Sequence, residues 1–296
     1  MKNAKLAAKL NPLHQSLVQI SDNVTFGREE IIIIGGPCAV ESYEQMETVA
    51  EKLHSSAVKA LRGGVYKPRT SPYAFQGMGE AGLKVLAAVR DKYNLPVVTE
   101  VMAISQIEVI AAHADMLQVG SRNMQNFDLL KELGRINKPI LLKRGLAATI
   151  EEFVMAAEYI LSHGNSNVVL CERGIRSFDN YTRNVLDLGA VAALKQITHL
   201  PVIVDPSHAA GRSELIAPLA RAAVACGADG LIIECHPVPE KSVSDAQQAL
   251  SLEKMIDLVH TLEPVAAAVG RKISTNSVGV GYQKPTPFHL NQKLTV

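Results

Sequence analysis

Between residues 31 and 262 the chain repeats one pattern eight times: a short apolar run, a polar turn, then an amphipathic helical stretch. The apolar runs fall at 31–34, 58–61, 96–99, 116–119, 139–142, 168–170, 202–204 and 231–233, and the helical patterns follow at 44–56, 79–92, 104–112, 126–135, 150–162, 184–197, 212–225 and 244–262. Strands that alternate with helices pair in parallel through right-handed crossovers. Eight such units in 296 residues predict a closed (β/α)8 TIM barrel of the α/β class. An open doubly wound sheet is the alternative. It carries a Gly-x-Gly-x-x-Gly turn after its first strand, whereas here Gly35 and Gly36 run into Pro37 and Cys38. The core must rest on Ile, Val, Leu and Ala, because the chain has no Trp and few aromatics, and that suits strands buried on both faces.

The barrel is expected over residues 31–265, with an N-terminal arm (1–30) and a C-terminal tail (266–296). In the arm, Asn11 and Pro12 read as an N-cap and first helical position. Leu13 and Leu17 then share a helical face, which predicts a helix closing the barrel bottom or touching a second subunit. Beyond residue 271 the tail is polar and carries Gly279, Gly281, Pro285 and Pro287, which predicts a flexible or surface-packed segment. The formal net charge of +1 gives no global reason to expect nucleic acid or an anionic membrane as partner. No apolar stretch reaches the ~18 residues of a membrane span. The N-terminus carries lysines without the arginines of a transit peptide. The scattered cysteines (Cys38, Cys171, Cys226, Cys235) form no paired motif, which points to reduced thiols in a cytoplasmic protein.

Barrel enzymes place their chemistry where the strands end. Seven basic residues crowd those ends: Arg62, Lys67, Arg69, Arg122, Lys143, Arg144 and Arg173. Singly, each is an ordinary solvated or ion-paired side chain. Together, in a near-neutral chain, they suit a small substrate rich in phosphate and carboxylate. Glu100, Gln118 and Asp205 end other strands. Cys38, His208, Glu234 and Asp245 could converge as a thiolate, an imidazole and two carboxylates, a mixed set suited to a borderline divalent metal. Each also has a purely structural reading: Cys38 as a small buried hydrophobe, Asp245 as a helix N-cap, and His208 as a hydrogen-bonded rim residue. Cys235 should point away from Glu234 on the same strand, and with Cys226 it reads as packing.

The segments Gly36-Pro37-Cys38-Ala39-Val40-Glu41-Ser42, Lys67-Pro68-Arg69-Thr70-Ser71-Pro72, Gly120-Ser121-Arg122-Asn123, Leu142-Lys143-Arg144-Gly145, Cys171-Glu172-Arg173-Gly174 and Asp205-Pro206-Ser207-His208 resemble the type I beta branch of 3-deoxy-D-arabino-heptulosonate 7-phosphate (DAHP) synthase, over roughly residues 28–265. The resemblance implies condensation of phosphoenolpyruvate with erythrose 4-phosphate at the entry to the shikimate pathway. It implies one divalent metal ion (Mn, Fe, Co or Zn) on Cys38, His208, Glu234 and Asp245. Phosphoenolpyruvate would be held by Arg62, Lys67, Arg122, Lys143 and Arg173. Erythrose 4-phosphate would lie against Lys67, Pro68, Arg69 and Thr70, with Asp205 near its aldehyde end. Lys67 would serve the new alkoxide, and Glu100 or His208 the attacking water. The resemblance also implies a homodimer or homotetramer. Many members of the branch carry a regulatory domain beside the barrel, and the chain is expected to leave no room for one. The sister family, 3-deoxy-D-manno-octulosonate 8-phosphate synthase, uses arabinose 5-phosphate and carries Lys-Ala-Asn-Arg-Ser where this chain has Lys67-Pro68-Arg69-Thr70. Two further alternatives are a Schiff-base aldolase built on Lys143 and a non-catalytic sugar-phosphate binder.

Overall fold

The computed structural model describes residues 3–274. A two-stranded antiparallel hairpin comes first, β1 (Val18–Ser21) with β2 (Val24–Phe26). Eight strands follow: β3 (Ile32–Gly36), β4 (Val58–Arg62), β5 (Val97–Val101), β6 (Met116–Val119), β7 (Ile140–Lys143), β8 (Val168–Glu172), β9 (Val202–Val204) and β10 (Gly230–His236). Each pairs in parallel with the next, and β10 pairs with both β9 and β3, which closes the barrel. The outer helices are α1 (Tyr43–Leu53), α2 (Glu80–Tyr93), α3 (Ile107–His113), α4 (Phe127–Leu133), α5 (Ile150–Leu161), α6 (Leu188–Ile197), α8 (Ile216–Ala225) and α9 (Leu252–Ala268). A short helix after β9, α7 (Pro206–Ala210), and a two-residue strand, β11 (Leu250–Ser251), complete the fold.

Local sequence explains where the helices begin. The Ser42 hydroxyl accepts from the Gln45 amide to start α1, and Thr149 and Glu152 form a reciprocal capping box on α5. Two predicted helices start later than their patterns suggested. The sixth begins at Leu188, because residues 175–185 fold as a loop closed by an Ile175–Val185 bridge. The eighth begins at Leu252, because Leu250 and Ser251 pair with Cys235 and His236. It then continues through Pro264 to Ala268, where buried Leu262 and Ala266 extend its apolar face past the missing proline donor.

The apolar strands sort their side chains by parity into two cores. Ile31 and Ile33 pack outward with the helices. Ile32 and Ile34 join Ala60, Val98, Met116, Leu141, Val169, Ile203 and Ile232 inside the barrel. Val18, Ile20, Val24 and Phe26 of the hairpin belong to that inner cluster. They plug the end where the strands begin, and burying Phe26 alone is worth roughly 1.5–3 kcal/mol.

The arm therefore closes the barrel bottom with a hairpin, not with the predicted helix. Asn11 makes a single turn: its side chain accepts from the Leu13 amide and its carbonyl from the His14 amide. The turn does not propagate, because Leu13 (93% exposed) and Leu17 find no apolar face to pack against. The segment before it is held instead by Glu158, whose buried carboxylate accepts from the amides of Lys5, Leu6 and Ala7 at 2.7–3.0 Å. Residues 275–296, most of the expected tail, lie outside the described residues.

Candidate active site

The parity that builds the inner core also builds the site. On six of the strands a polar residue stands at the rim two residues beyond an inward apolar side chain: Arg62 after Ala60, Glu100 after Val98, Gln118 after Met116, Lys143 after Leu141, Asp205 after Ile203 and Glu234 after Ile232. Arg173 follows Cys171 in the same way. A cavity of about 470 Å³ opens there, lined by Arg62, Lys67, Pro68, Arg69, Thr70, Arg122, Lys143 and Arg173, with Glu100, Cys38, His208 and Asp245 in its wall. Arg62 is buried, and its Nη1 has no partner among the described residues, so this donor is left for an anionic ligand.

Arg144 is not part of this pocket. One residue past the inward Lys143, it turns outward, where its guanidinium binds Glu172 at 2.9 Å and Asp187 at 3.0 Å. Two pocket cations that the sequence reading passed over are Arg176 and Arg183. Both come from the loop between β8 and α6, several residues beyond the strand end. The run of three arginines between 173 and 183 was the available signal.

The proposed metal donors converge. One ligand atom each from Cys38, His208, Glu234 and Asp245 lies within 4.8 Å of the others. Cys38 follows β3, His208 sits on α7, Glu234 lies in β10 two residues before its end, and Asp245 lies in the loop before β11 with a left-handed backbone (φ 57°). The Cys38 thiol donates to Asp245 Oδ2 at 3.2 Å, and His208 Nε2 stands 3.7 Å from Glu234 Oε2. Lys67 binds both the Cys38 sulfur (2.9 Å) and the Cys38 carbonyl (2.7 Å).

Asp205 is fully buried beneath the pocket floor. It accepts from His208 Nδ1 at 2.8 Å and from Lys143 at 2.5 Å. The bond assigns the proton to Nδ1 and leaves the Nε2 lone pair facing the other donors. Burial pushes His208 down to about 3, so the ring is neutral. Burial alone would raise Asp205, yet it is held well below the ordinary carboxylate range. With His208 neutral, the charge of Lys143, the hydrogen bond from the His208 ring and the charge of Arg62 do this.

Burial pushes Glu234 up to about 7, against the pull of Arg62. It raises the Cys38 thiol as well, with Glu234 adding to the rise. At Asp245, burial would raise the carboxyl, but Arg183, the hydrogen bond from the Cys38 thiol and Lys67 hold it below the ordinary range. Glu234 Oε1 is buried without a hydrogen-bond partner among the described residues. A buried orphan oxygen, a neutral imidazole with its lone pair turned inward and a thiol fit a divalent cation, which would satisfy the first and deprotonate the last.

Parallel barrels work at the ends of their strands, and with this pocket there the chain is a (β/α)8-barrel enzyme for small anionic substrates. It belongs to the DAHP synthetase I family, whose model matches residues 14–270. The phospho-2-dehydro-3-deoxyheptonate aldolase of Thermotoga maritima is 47% identical over 274 residues, covering 93% of this chain and 81% of that protein. A crystal structure of that aldolase superposes with a TM-score of 0.88 at 46% identity, over 93% of this chain and 80% of the other. A truncated form of the 3-deoxy-D-arabino-heptulosonate 7-phosphate synthase of the same organism matches with a TM-score of 0.84 at 44% identity, over 91% and 98%. The 2-dehydro-3-deoxyphosphooctonate aldolase of Syntrophotalea carbinolica is more distant, 32% identical over 266 residues, covering 83% of this chain and 95% of that protein.

Proposed function

We propose that this chain is a metal-dependent 3-deoxy-7-phosphoheptulonate synthase, joining phosphoenolpyruvate to erythrose 4-phosphate with water and releasing DAHP and inorganic phosphate. The observation that carries the reading is Lys67, which bonds to Cys38 of the donor set at the head of the Lys67-Pro68-Arg69-Thr70 loop. Cys38, His208, Glu234 and Asp245 would hold the divalent ion (Mn, Fe, Co or Zn). When bound, it would supply Lewis-acid polarisation of the aldehyde.

The chain's own residues bring two anions together and manage protons. Arg62, Arg122, Lys143 and Arg173 bind phosphoenolpyruvate through charge-assisted hydrogen bonds and offset its repulsion from the second anion. Arg69 and Thr70 take the phosphate of erythrose 4-phosphate, and Pro68 shapes the loop. Arg69 is braced on Ser244, and Arg122 donates to the Pro68 carbonyl at 2.5 Å, which ties the two substrate subsites together. Holding C3 of phosphoenolpyruvate against the aldehyde carbon is itself worth several kcal/mol, up to roughly 7–11 in ideal cases. C3 attacks, the new C–C bond forms, and Lys67 is placed to protonate the alkoxide. Water adds at C2, with Glu100 taking its proton; His208, protonated on Nδ1 against Asp205 and with Nε2 given to the donor set, has no lone pair left for it. The hemiketal phosphate then loses inorganic phosphate by C–O cleavage. Asp205 acts through others, fixing the His208 ring and the Lys143 ammonium.

A Schiff-base mechanism on Lys143 is disfavoured, because the amine is engaged by Asp205 and would need a free lone pair to attack a carbonyl. The reading extends to a cytoplasmic homodimer or homotetramer. No helix among the described residues is long and apolar enough to cross a membrane. The deciding assay compares erythrose 4-phosphate with arabinose 5-phosphate, with and without chelator. Turnover of the four-carbon aldehyde, abolished by chelator and restored by Mn, is expected. Preference for arabinose 5-phosphate would assign the sister activity, and chelator-resistant turnover would remove the metal.

A further inference from the structure

Gln248 is a fully buried amide that none of the roles above uses. Its Nε2 donates to Glu234 Oε2 at 2.8 Å, and its Oε1 accepts from Arg183 Nη1 at 3.0 Å. The same Arg183 Nη1 also reaches Asp245 Oδ1 at 3.2 Å. Two of the four donors are thus tied to one guanidinium, Asp245 directly and Glu234 through the amide. The neighbouring Asn184 donates its side-chain amide to the His208 carbonyl at 3.0 Å, which brings a third donor under the same segment.

The segment is seated firmly on the helix that carries His208. The amides of Arg183 and Asn184 donate to the carbonyls of Ala210 and Ala209 at 3.0 and 2.8 Å. Close approach is possible because Gly211, at φ +67°, has no side chain: an added Cβ would sit 2.6 Å from Arg183 Cβ. The loop's other leg presents Arg173 and Arg176 to the substrate cavity.

We propose that Arg183 and Gln248 are positioning residues that hold the Glu234 and Asp245 carboxylates in their converged arrangement. Their amide and guanidinium occupy Glu234 Oε2 and Asp245 Oδ1, leaving Glu234 Oε1 and Asp245 Oδ2 for the cation and the thiol. Without Gln248, the Glu234 carboxylate loses the one side-chain hydrogen bond it makes among the described residues and is free to rotate. Without Arg183, Asp245 loses the 3.2 Å ion pair that holds Oδ1, on a left-handed backbone with no side-chain cap of its own. The inference rests on the metal-dependent reading given above.

The test is metal affinity, measured on the purified full chain by competition with a fluorescent chelator for Mn and Zn. Gln248→Ala and Arg183→Ala should each raise the metal Kd roughly 10–100-fold, the usual cost of removing a group that orients a ligand. Arg183→Lys, which keeps the charge but not the fork, should recover part of that loss. In assays of Gln248→Ala titrated with metal, the activity curve should shift to higher metal concentration and reach a plateau near that of the parent, a pattern that a substrate contact would not produce. A Kd within twofold of the parent in both alanine variants overturns the proposal. If Gln248→Ala fails to fold, Arg183→Ala, whose side chain is partly exposed, decides alone. A parent protein that binds neither metal would instead overturn the functional reading itself, and this inference with it.

Discussion

The Lys67 ammonium lies 2.9 Å from the Cys38 sulfur and 2.7 Å from the Cys38 carbonyl oxygen, a contact made across 29 residues of chain. One cation therefore faces the donor set on one side and the proposed aldehyde-binding loop on the other. Lys67→Met keeps the length of the side chain and removes its protons. It should lower kcat about 10²–10⁴-fold, the range for a lost general acid. Steady-state kinetics at saturating metal measure this, and a loss below tenfold would take the proton-transfer role away from Lys67.

Cys38→Ser and His208→Ala each remove one proposed ligand. Both should cost more than the ~100-fold typical of outer-shell changes, while circular dichroism and the thermal midpoint of the metal-free protein stay near the parent's. Retention of full activity by either variant would sink the metal-centred account.

Arg144 makes a contrasting prediction, because its charge is spent outside the pocket on Glu172 and Asp187. Arg144→Met leaves Glu172 buried and unpaired, which should cost about 3–5 kcal/mol of stability. The denaturant midpoint should fall, while KM for phosphoenolpyruvate stays within twofold. Glu172→Gln in the same background should regain part of the loss. A large KM effect without destabilisation would return Arg144 to the substrate site.

His199 gives the pH dependence. Its Nε2 bonds to the Leu6 carbonyl at 2.6 Å, its Nδ1 to the Ser16 hydroxyl at 2.7 Å, and its ring stacks on His14 with centroids 4.1 Å apart. Burial lowers its pKa, and His14 adds to the effect. The folded protein thus keeps His199 neutral, whereas the unfolded chain protonates it near the ordinary value of about 6.5. This stability is present above that pH and is lost as pH falls toward the depressed folded value. Hydrogen exchange, corrected for the intrinsic pH dependence of amide exchange, should show lower protection factors around Leu6 and Ser16 at pH 5 than at pH 7.5, with the difference diminished in His199→Gln. Equal protection factors at the two pH values in the parent would refute the linkage.

How far the site was legible depends on distance along the chain. Lys143 and Arg144 are adjacent and looked alike as rim cations. Strand parity separates them, and applying it beyond the strand end would have sent Arg144 outward. Arg183 and Gln248 were not legible in that way. Their contact spans 65 residues and depends on the path of an irregular loop and on a glycine that admits it. The predicted helix at Asn11 failed for a related reason: two leucines four residues apart are a local pattern, and no neighbouring surface rewards it.

By itself, the order of residues determined eight strands with alternating faces and the polar groups that end them. That information is local, because a side chain's face follows from its position within a few residues of backbone. Only the tertiary structure decided which of those groups meet. Cys38 and Asp245 are 207 residues apart and touch at 3.2 Å because β10 pairs with β3 and closes the ring. Closure is the outcome of many packed side chains acting together, and no short stretch of the chain carries it.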